Sequence, residues 1–275
     1  MIELFIKRFF RSMERSGMFR AGFFITLFVL LFVLAGVLYT PWPPTTMDEG
    51  ARLAGFSARH LLGTDHLGRD TLSRLLTGAG TTLFIAAGTV FIGAVCGSVI
   101  GAACGYFGGL LDEGVMRVID ALFAFPSILL ALVFVSLFGS GRYHVIAALG
   151  IAVIPSFART VRGEFLREKN RDYVTKAKLH GISDLRIMFF HILPNTGDVL
   201  LSSVLIGFNN AVLAEAGLSF LGIGVQPPDA SLGRMLSESQ QYLFRAPATA
   251  LLPGILLVLM ILGFSLMGEG VRSRD

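Results

Sequence analysis

Two cysteines in 275 residues, Cys96 and Cys104, share one apolar stretch with no histidine or carboxylate between them. That scarcity excludes a disulfide framework and leaves no readable metal site, because a buried free cysteine behaves as a small hydrophobe. Charge is scarce as well. Asp, Glu, Lys and Arg make up 15% of the chain, against roughly 25% in an ordinary soluble domain. No Gly-Lys pair occurs, and a phosphate-cradling loop needs glycines followed by Gly-Lys-Ser/Thr, so the chain is not expected to hydrolyse ATP. Serines do stand among glycines, in Gly139-Ser140-Gly141 and in Gly217-Leu218-Ser219-Phe220-Leu221-Gly222. Neither has a histidine partner in an apolar block, and such a serine alone does not make a hydrolase.

What the chain does have is 53% apolar residues and 32 glycines, with a mean hydropathy of +0.70. The apolar residues come in long uncharged blocks, the pattern of a polytopic membrane protein. Six blocks are expected to span as helices: Gly22 to Tyr39, Thr81 to Phe107, Ala121 to Phe138, Val145 to Phe157, Val199 to Leu213 and Ala248 to Met267. None contains Asp, Glu, Lys, Arg or His. An ion-coupled carrier needs such groups inside the membrane, so energy is expected to come from a partner. The alternative is a self-contained channel or secondary carrier.

Orientation follows from the basic residues, 16 of 23 of which fall on the side of the amino terminus. Both termini are therefore expected in the cytoplasm. The same census speaks against nucleic acid as a partner, since the basic residues lie beside apolar blocks next to lipid. The chain divides into a cytoplasmic tail (1–21), a membrane domain (22–267) and a second cytoplasmic tail (268–275). Within the membrane domain lie an outer loop (40–80), a cytoplasmic loop (159–197) and an outer re-entrant segment (215–247). In the first tail Ile2, Phe5, Ile6, Phe9 and Met13 share one helical face, opposite Lys7, Arg8, Arg11 and Arg15. That pattern suits a helix lying in the membrane interface.

Gly93, Gly97, Gly101 and Gly105 recur at steps of four and predict a flat strip for close helix packing, within this chain or against another. The cytoplasmic loop carries helix punctuation. Asp172 is expected to cap a helix over 173–180, Gly181 to end it, and Ser183 or Asp184 to start a second helix reaching Leu193-Pro194. A loop that only sets topology needs the charge but not the caps and the break, so a docking element for a cytoplasmic partner is expected. His60, Asp65, His66 and Asp70 are close in sequence, but an architectural role is expected in place of a metal: turns at Gly63 and Gly68, and a helix cap at Asp70. Asn209 and Asn210, an amide pair in the fifth block, and Gln226 are candidates for a solute path.

Tyr173-Val174-Thr175-Lys176-Ala177-Lys178-Leu179-His180-Gly181, with Pro194 thirteen positions after the glycine, resembles the loop of ABC-importer permeases that docks on the ATPase. Thr175, Lys176 and Ala177 stand where that family usually reads Glu-Ala-Ala. Leu62-Gly63-Thr64-Asp65-His66-Leu67-Gly68-Arg69-Asp70 and the run from Glu215 to Pro228 are similar to signatures of the dipeptide, oligopeptide and nickel permease group. So are Asp112, Asp120 and Pro126. The resemblance implies an all-α, type I importer permease fold in a bacterial or archaeal cytoplasmic membrane. It implies a coupling set of Tyr173, Val174, Thr175, Lys176, Ala177, Gly181, Leu193 and Pro194. Its implied partners are a second homologous permease, two ATPases that bind ATP and Mg, an extracytoplasmic solute-binding protein and membrane lipid. No cofactor is expected on this chain, and the implied cargo is a peptide or a small solute such as chelated nickel.

Overall fold

The computed structural model describes residues 16–272, with helices as the only regular elements and no strand among the described residues. The amphipathic tail expected over 2–15 lies outside them. Helix α1 (Gly17–Leu38) begins where the Ser16 hydroxyl accepts from the Phe19 amide. Helix α2 (Thr71–Phe107) begins where Asp70 accepts from the Ser73 amide, and it ends at Gly108 with φ +68°. Then follow α3 (Gly109–Phe123), α4 (Ser127–Phe138), α5 (Arg142–Glu168) and α6 (Asp172–Leu179). Helix α7 (184–195) is wound as π-helix over Ile187–Ile192, and α8 (Gly197–Phe220), α9 (Leu232–Ser239) and α10 (Ala248–Arg272) complete the chain.

Five helices, α1, α2, α5, α8 and α10, are each long and apolar enough to cross a membrane, and α3 with α4 makes a sixth if that bent pair is one span. The span expected from Ala121 to Phe138 is broken in its middle. The chain turns by 92° between α3 and α4, because Pro126 cannot continue a helix and pushes Phe125 out of the helical region. Other spans are longer than the apolar blocks suggest. Helix α5 runs on to Glu168, so the first ten residues of the expected cytoplasmic loop are helix, and α8 runs on to Phe220, drawing Glu215 into a membrane helix.

Glycine sets the central packing. An added Cβ at Gly97 would lie 2.9 Å from the Ile154 carbonyl, and one at Gly105 2.8 Å from that of Arg162. At Gly101 it would fall 2.9 Å from the Arg162 amide nitrogen. The strip that was open to either partner thus packs against α5 of the same chain. Helices α1 and α10 meet in the same manner through Gly22, Gly263 and Gly270, where a Cβ would come 2.6–2.7 Å from the facing helix. Between these pairs Val29, Leu75, Phe157, Phe208 and Met260 form the main core.

Glu215 is fully buried. It accepts from the Thr82 hydroxyl (2.8 Å) and the Ser219 hydroxyl (2.7 Å), tying α8 to α2. The segment after α8 is only partly irregular. A loop closed by Ser219, whose hydroxyl accepts from the Val225 amide, leads into α9, which is packed against α2, α8 and α10.

Candidate functional site

At the basic end of the bundle, α6 and α7 form one compact unit on the ends of α2 and α5. Val174 and Ala177 of α6 are buried with Ala102, Tyr106, Val161 and Phe165 and with Ile187, Met188 and Ile192 of α7. The Tyr173 hydroxyl donates to Glu168 (2.9 Å), the Tyr106 hydroxyl to Asp184 (2.5 Å), and Lys169 Nζ to the Gly105 carbonyl (2.8 Å). Burial, with the hydrogen bond to Glu168, raises the Tyr173 phenol above its ordinary range.

Helix α6 ends in a reciprocal pair of backbone bonds, from the Gly181 amide to Lys178 and from the Ile182 amide to Ala177, with Gly181 at φ +71°. Only glycine adopts that φ without strain. Asp172 does not cap the helix. It is the first helical residue, and Arg171 holds the cap position without a side-chain bond. An aspartate in the first turn is still favourable, through the helix dipole.

Of the residues implied for coupling, Val174 and Ala177 are buried anchors, Tyr173, Leu193 and Pro194 are half-buried, and Thr175, Lys176 and Gly181 are exposed. The apolar surface of the unit comes from residues outside that set: Leu179 (83% exposed), Leu185 (63%) and Phe190 (71%). Leu179 sits inside the recognised motif. Leu185 and Phe190 give no such signal, because the π turn shifts the helical phase and defeats a 3.6-residue reading.

A cavity of about 400 Å³ opens where α3 and α4 part, between α5 and α8. Its polar lining is Ser127, Ser156, Thr160, Ser203 and Asn210, with Phe123, Phe125 and Phe157 as aromatic wall. Among the described residues, no charged side chain lines it. Gly207 leaves room for it, since a Cβ there would stand 3.1 Å from the Phe157 ring. Of the amides singled out, only Asn210 reaches this cavity. Asn209 faces α10, where in the orientation that satisfies both partners it donates to the Ile261 carbonyl (3.1 Å) and accepts from the Ser265 amide (3.2 Å). Gln226 donates to the Gly222 carbonyl (2.7 Å) within its own loop.

Two ion pairs join α3 to α5 beside the cavity. Arg162 holds Asp112 in a bidentate grip (2.5 and 2.6 Å). Arg159 holds Asp120 through one nitrogen at 2.5 Å, and its guanidinium stacks 4.2 Å from the Phe123 ring centre.

At the opposite end the four residues with metal-like spacing do not converge. His60 pairs with Asp70 (2.9 Å), whereas Asp65 is held by Arg69 (2.7 Å) and Arg74. Glu238 of α9 is bound by the same two arginines at 2.7 and 2.8 Å. Burial raises the Asp65 and Glu238 carboxyls, but the two guanidinium groups outweigh it and hold both below the usual carboxylate range. Asp65, His66 and Glu238 bring ligand atoms within 4.8 Å of one another, on carboxylates that guanidinium groups already neutralise. The loop between α1 and α2 is thus locked to α9 by buried charge.

Residues 97–272 match the family described as binding-protein-dependent transport system inner membrane component. The chain belongs to this family. The matched stretch of the permease begins inside the glycine strip and takes in α6, α7, the cavity and α10. Over nearly its whole length the chain is similar to permeases named for peptide cargo. The dipeptide transport system permease protein DppC of Haemophilus influenzae is 37% identical, with 91% of this chain and 86% of that protein covered. DppC of Escherichia coli K12 is 39% identical (98% and 91% covered). The glutathione transport system permease protein GsiD of Escherichia coli O6:K15:H31 is 38% identical (96% and 88% covered). In fold, this permease is similar to a chain of the inward-facing MetNI methionine ABC transporter, with a TM-score of 0.59 at 20% identity, covering 73% of this chain and 95% of that one. The type I importer permease fold follows.

Proposed function

We propose that this permease forms half of the translocation pathway of an ATP-driven importer of short peptides. A second, homologous permease forms the other half. Two cytoplasmic ATPases dock on the α6–α7 units, and an extracytoplasmic solute-binding protein delivers the cargo to the outer face. Both termini lie in the cytoplasm.

The observation that carries this reading is the α6–α7 unit: a helix closed by a left-handed glycine, anchored by Val174 and Ala177, and presenting Leu179, Leu185 and Lys176 to a partner. The peptide cargo is supported by the names of the relatives. ATP binding draws the ATPases together, the unit moves with them, and the helices that line the cavity follow. Such coupling works only if the contacts of the unit differ between the two states of the pathway.

Reconstitution tests the reading. Proteoliposomes holding both permeases and the ATPases should take up a labelled dipeptide only with ATP and the binding protein present. Uptake by this chain alone would instead establish a self-contained carrier. Reporter fusions at Gly50 and at the carboxyl end should report opposite compartments.

A further inference from the structure

The Asp120–Arg159 pair does something that its neighbour does not. Arg162 and Asp112 already fasten α3 to α5 with two short bonds, and the Asp112 side chain is only 13% exposed. Asp120 and Arg159 share a single bond and are 53% and 42% exposed. They contribute little to fastening, because an exposed ion pair is weak and exchanges partners at little cost.

Their position is specific. Phe123, over which Arg159 stacks, lines the cavity, as do Ser156 and Thr160 on either side of Arg159 in sequence. The cavity itself offers hydroxyls and an amide but no charge. At about 400 Å³ it lies within the roughly 300–1,000 Å³ typical of small-molecule sites. A neutral chamber with one cation and one anion at its rim is complementary to a short zwitterion. Its amide groups would bond to the hydroxyl wall, its carboxylate to Arg159 and its ammonium to Asp120.

We infer that the Asp120–Arg159 pair at the cavity rim reads the two charged ends of a short peptide, opening to take the carboxylate on Arg159 and the ammonium on Asp120. The inference rests on the proposed peptide cargo. Partner exchange keeps the charge balanced at every stage. It also makes the contact transient, since each end that leaves is replaced by the other member of the pair.

The test uses the complete transporter in lipid nanodiscs without the binding protein, so that selection by that protein does not enter. Saturation-transfer NMR would measure binding of alanyl-alanine, its carboxyl-terminal amide and its N-acetyl form. Loss of a charge-assisted contact predicts that the wild type prefers the zwitterion by about tenfold over either derivative. Arg159→Gln should abolish the preference over the amide and Asp120→Asn that over the N-acetyl form, while Arg159→Lys keeps both. Equal binding of the three ligands by the wild type, no binding, or unchanged preferences in the variants would each overturn the inference. Dipeptide uptake by the intact system, measured separately, tells such a failure from a failure of the cargo assignment.

Discussion

Replacing Gly181 isolates backbone geometry from every other property of the α6–α7 unit. Its φ is +71°, and a Cβ built there meets nothing within 4 Å. A larger residue therefore collides with no neighbour, and the whole penalty comes from the left-handed conformation, about 1–2 kcal/mol for an ordinary L-residue and more for a β-branched one. Helix α6 is eight residues long and held mainly by Val174 and Ala177, so it has little stability of its own to offset that cost. One or two kcal/mol changes a conformational ratio about 5- to 30-fold. Uptake and retention of the ATPase should therefore fall in the order Gly, Asn, Ala, Val at this position, since asparagine tolerates the left-handed region. Membrane insertion should be unchanged throughout. Lys176→Ala removes one exposed charge and should leave both readouts near wild type. A fully active Gly181→Val protein, or an asparagine variant as impaired as the valine one, would refute the reasoning.

Three further outcomes follow from the packing and the buried charge. Gly101→Val drives a side chain into the backbone of α5, and overpacking of about 1–3 kcal/mol or more should lower the thermal midpoint of the detergent-purified complex, whereas a valine at exposed Gly114 should not reproduce the loss. Arg74→Met leaves Asp65 and Glu238 with one arginine fewer in a buried site, which should cost about 3–5 kcal/mol and show as lost protein in membranes. The carboxyl of Asp65 is depressed in the folded protein, so its contribution is present above its unfolded pKa of about 4 and is lost as pH falls through the folded value. The difference in thermal midpoint between wild type and Asp65→Asn should accordingly stay constant above about pH 5 and shrink below about pH 4.

Period and punctuation made much of this fold legible before any coordinates. Asp70, Gly63, Gly68 and Gly181 stand where a cap and three left-handed turns are needed, because only those residue types meet those local demands. The glycines at steps of four announced a close helix contact, though not its partner, since a flat strip fits any backbone. What stayed hidden depends on tertiary context. Hydropathy stops at charged residues, so α5 was cut short before Arg159 and α8 before Glu215, yet both helices continue because the fold supplies the partners Asp120, Asp112, Thr82 and Ser219. The 92° turn at Pro126 gave no signal in hydropathy, because the apolar block from Ala121 to Phe138 runs through it without a charge. The cavity was invisible apart from Asn210, because its lining comes from four helices far apart in sequence.

Helix α5 connects the two functional regions mechanically. Its middle carries Ala152, Pro155, Ser156 and Thr160 on the cavity wall, and its end lies three residues before α6, to which it is bonded through Glu168 and Tyr173. Lys169, just beyond α5, grips the Gly105 carbonyl of α2, and a Cβ at Gly105 would touch Phe165 and Arg162 of α5. A displacement of α6 is thus delivered to α2 and α5 together, as a close-packed pair with no compressible layer between them. Helix α3 is joined to α4 by a proline break, buries only Ile119 and is attached to α5 through the Asp112–Arg162 and Asp120–Arg159 pairs, so it has freedom that the α2–α5 pair lacks, whereas α4 packs on α5 through Ala131 and Val135. Under the proposed function, the α2–α5 pair moves as a rigid lever, and the cavity changes shape at its α3 wall. A bifunctional thiol cross-linker that staples α3 to α5 between cysteines introduced at positions 112 and 162 should therefore stop transport, measured against the same double-cysteine protein left uncross-linked, while leaving ATPase docking intact. Full uptake with that staple closed would place the moving wall elsewhere.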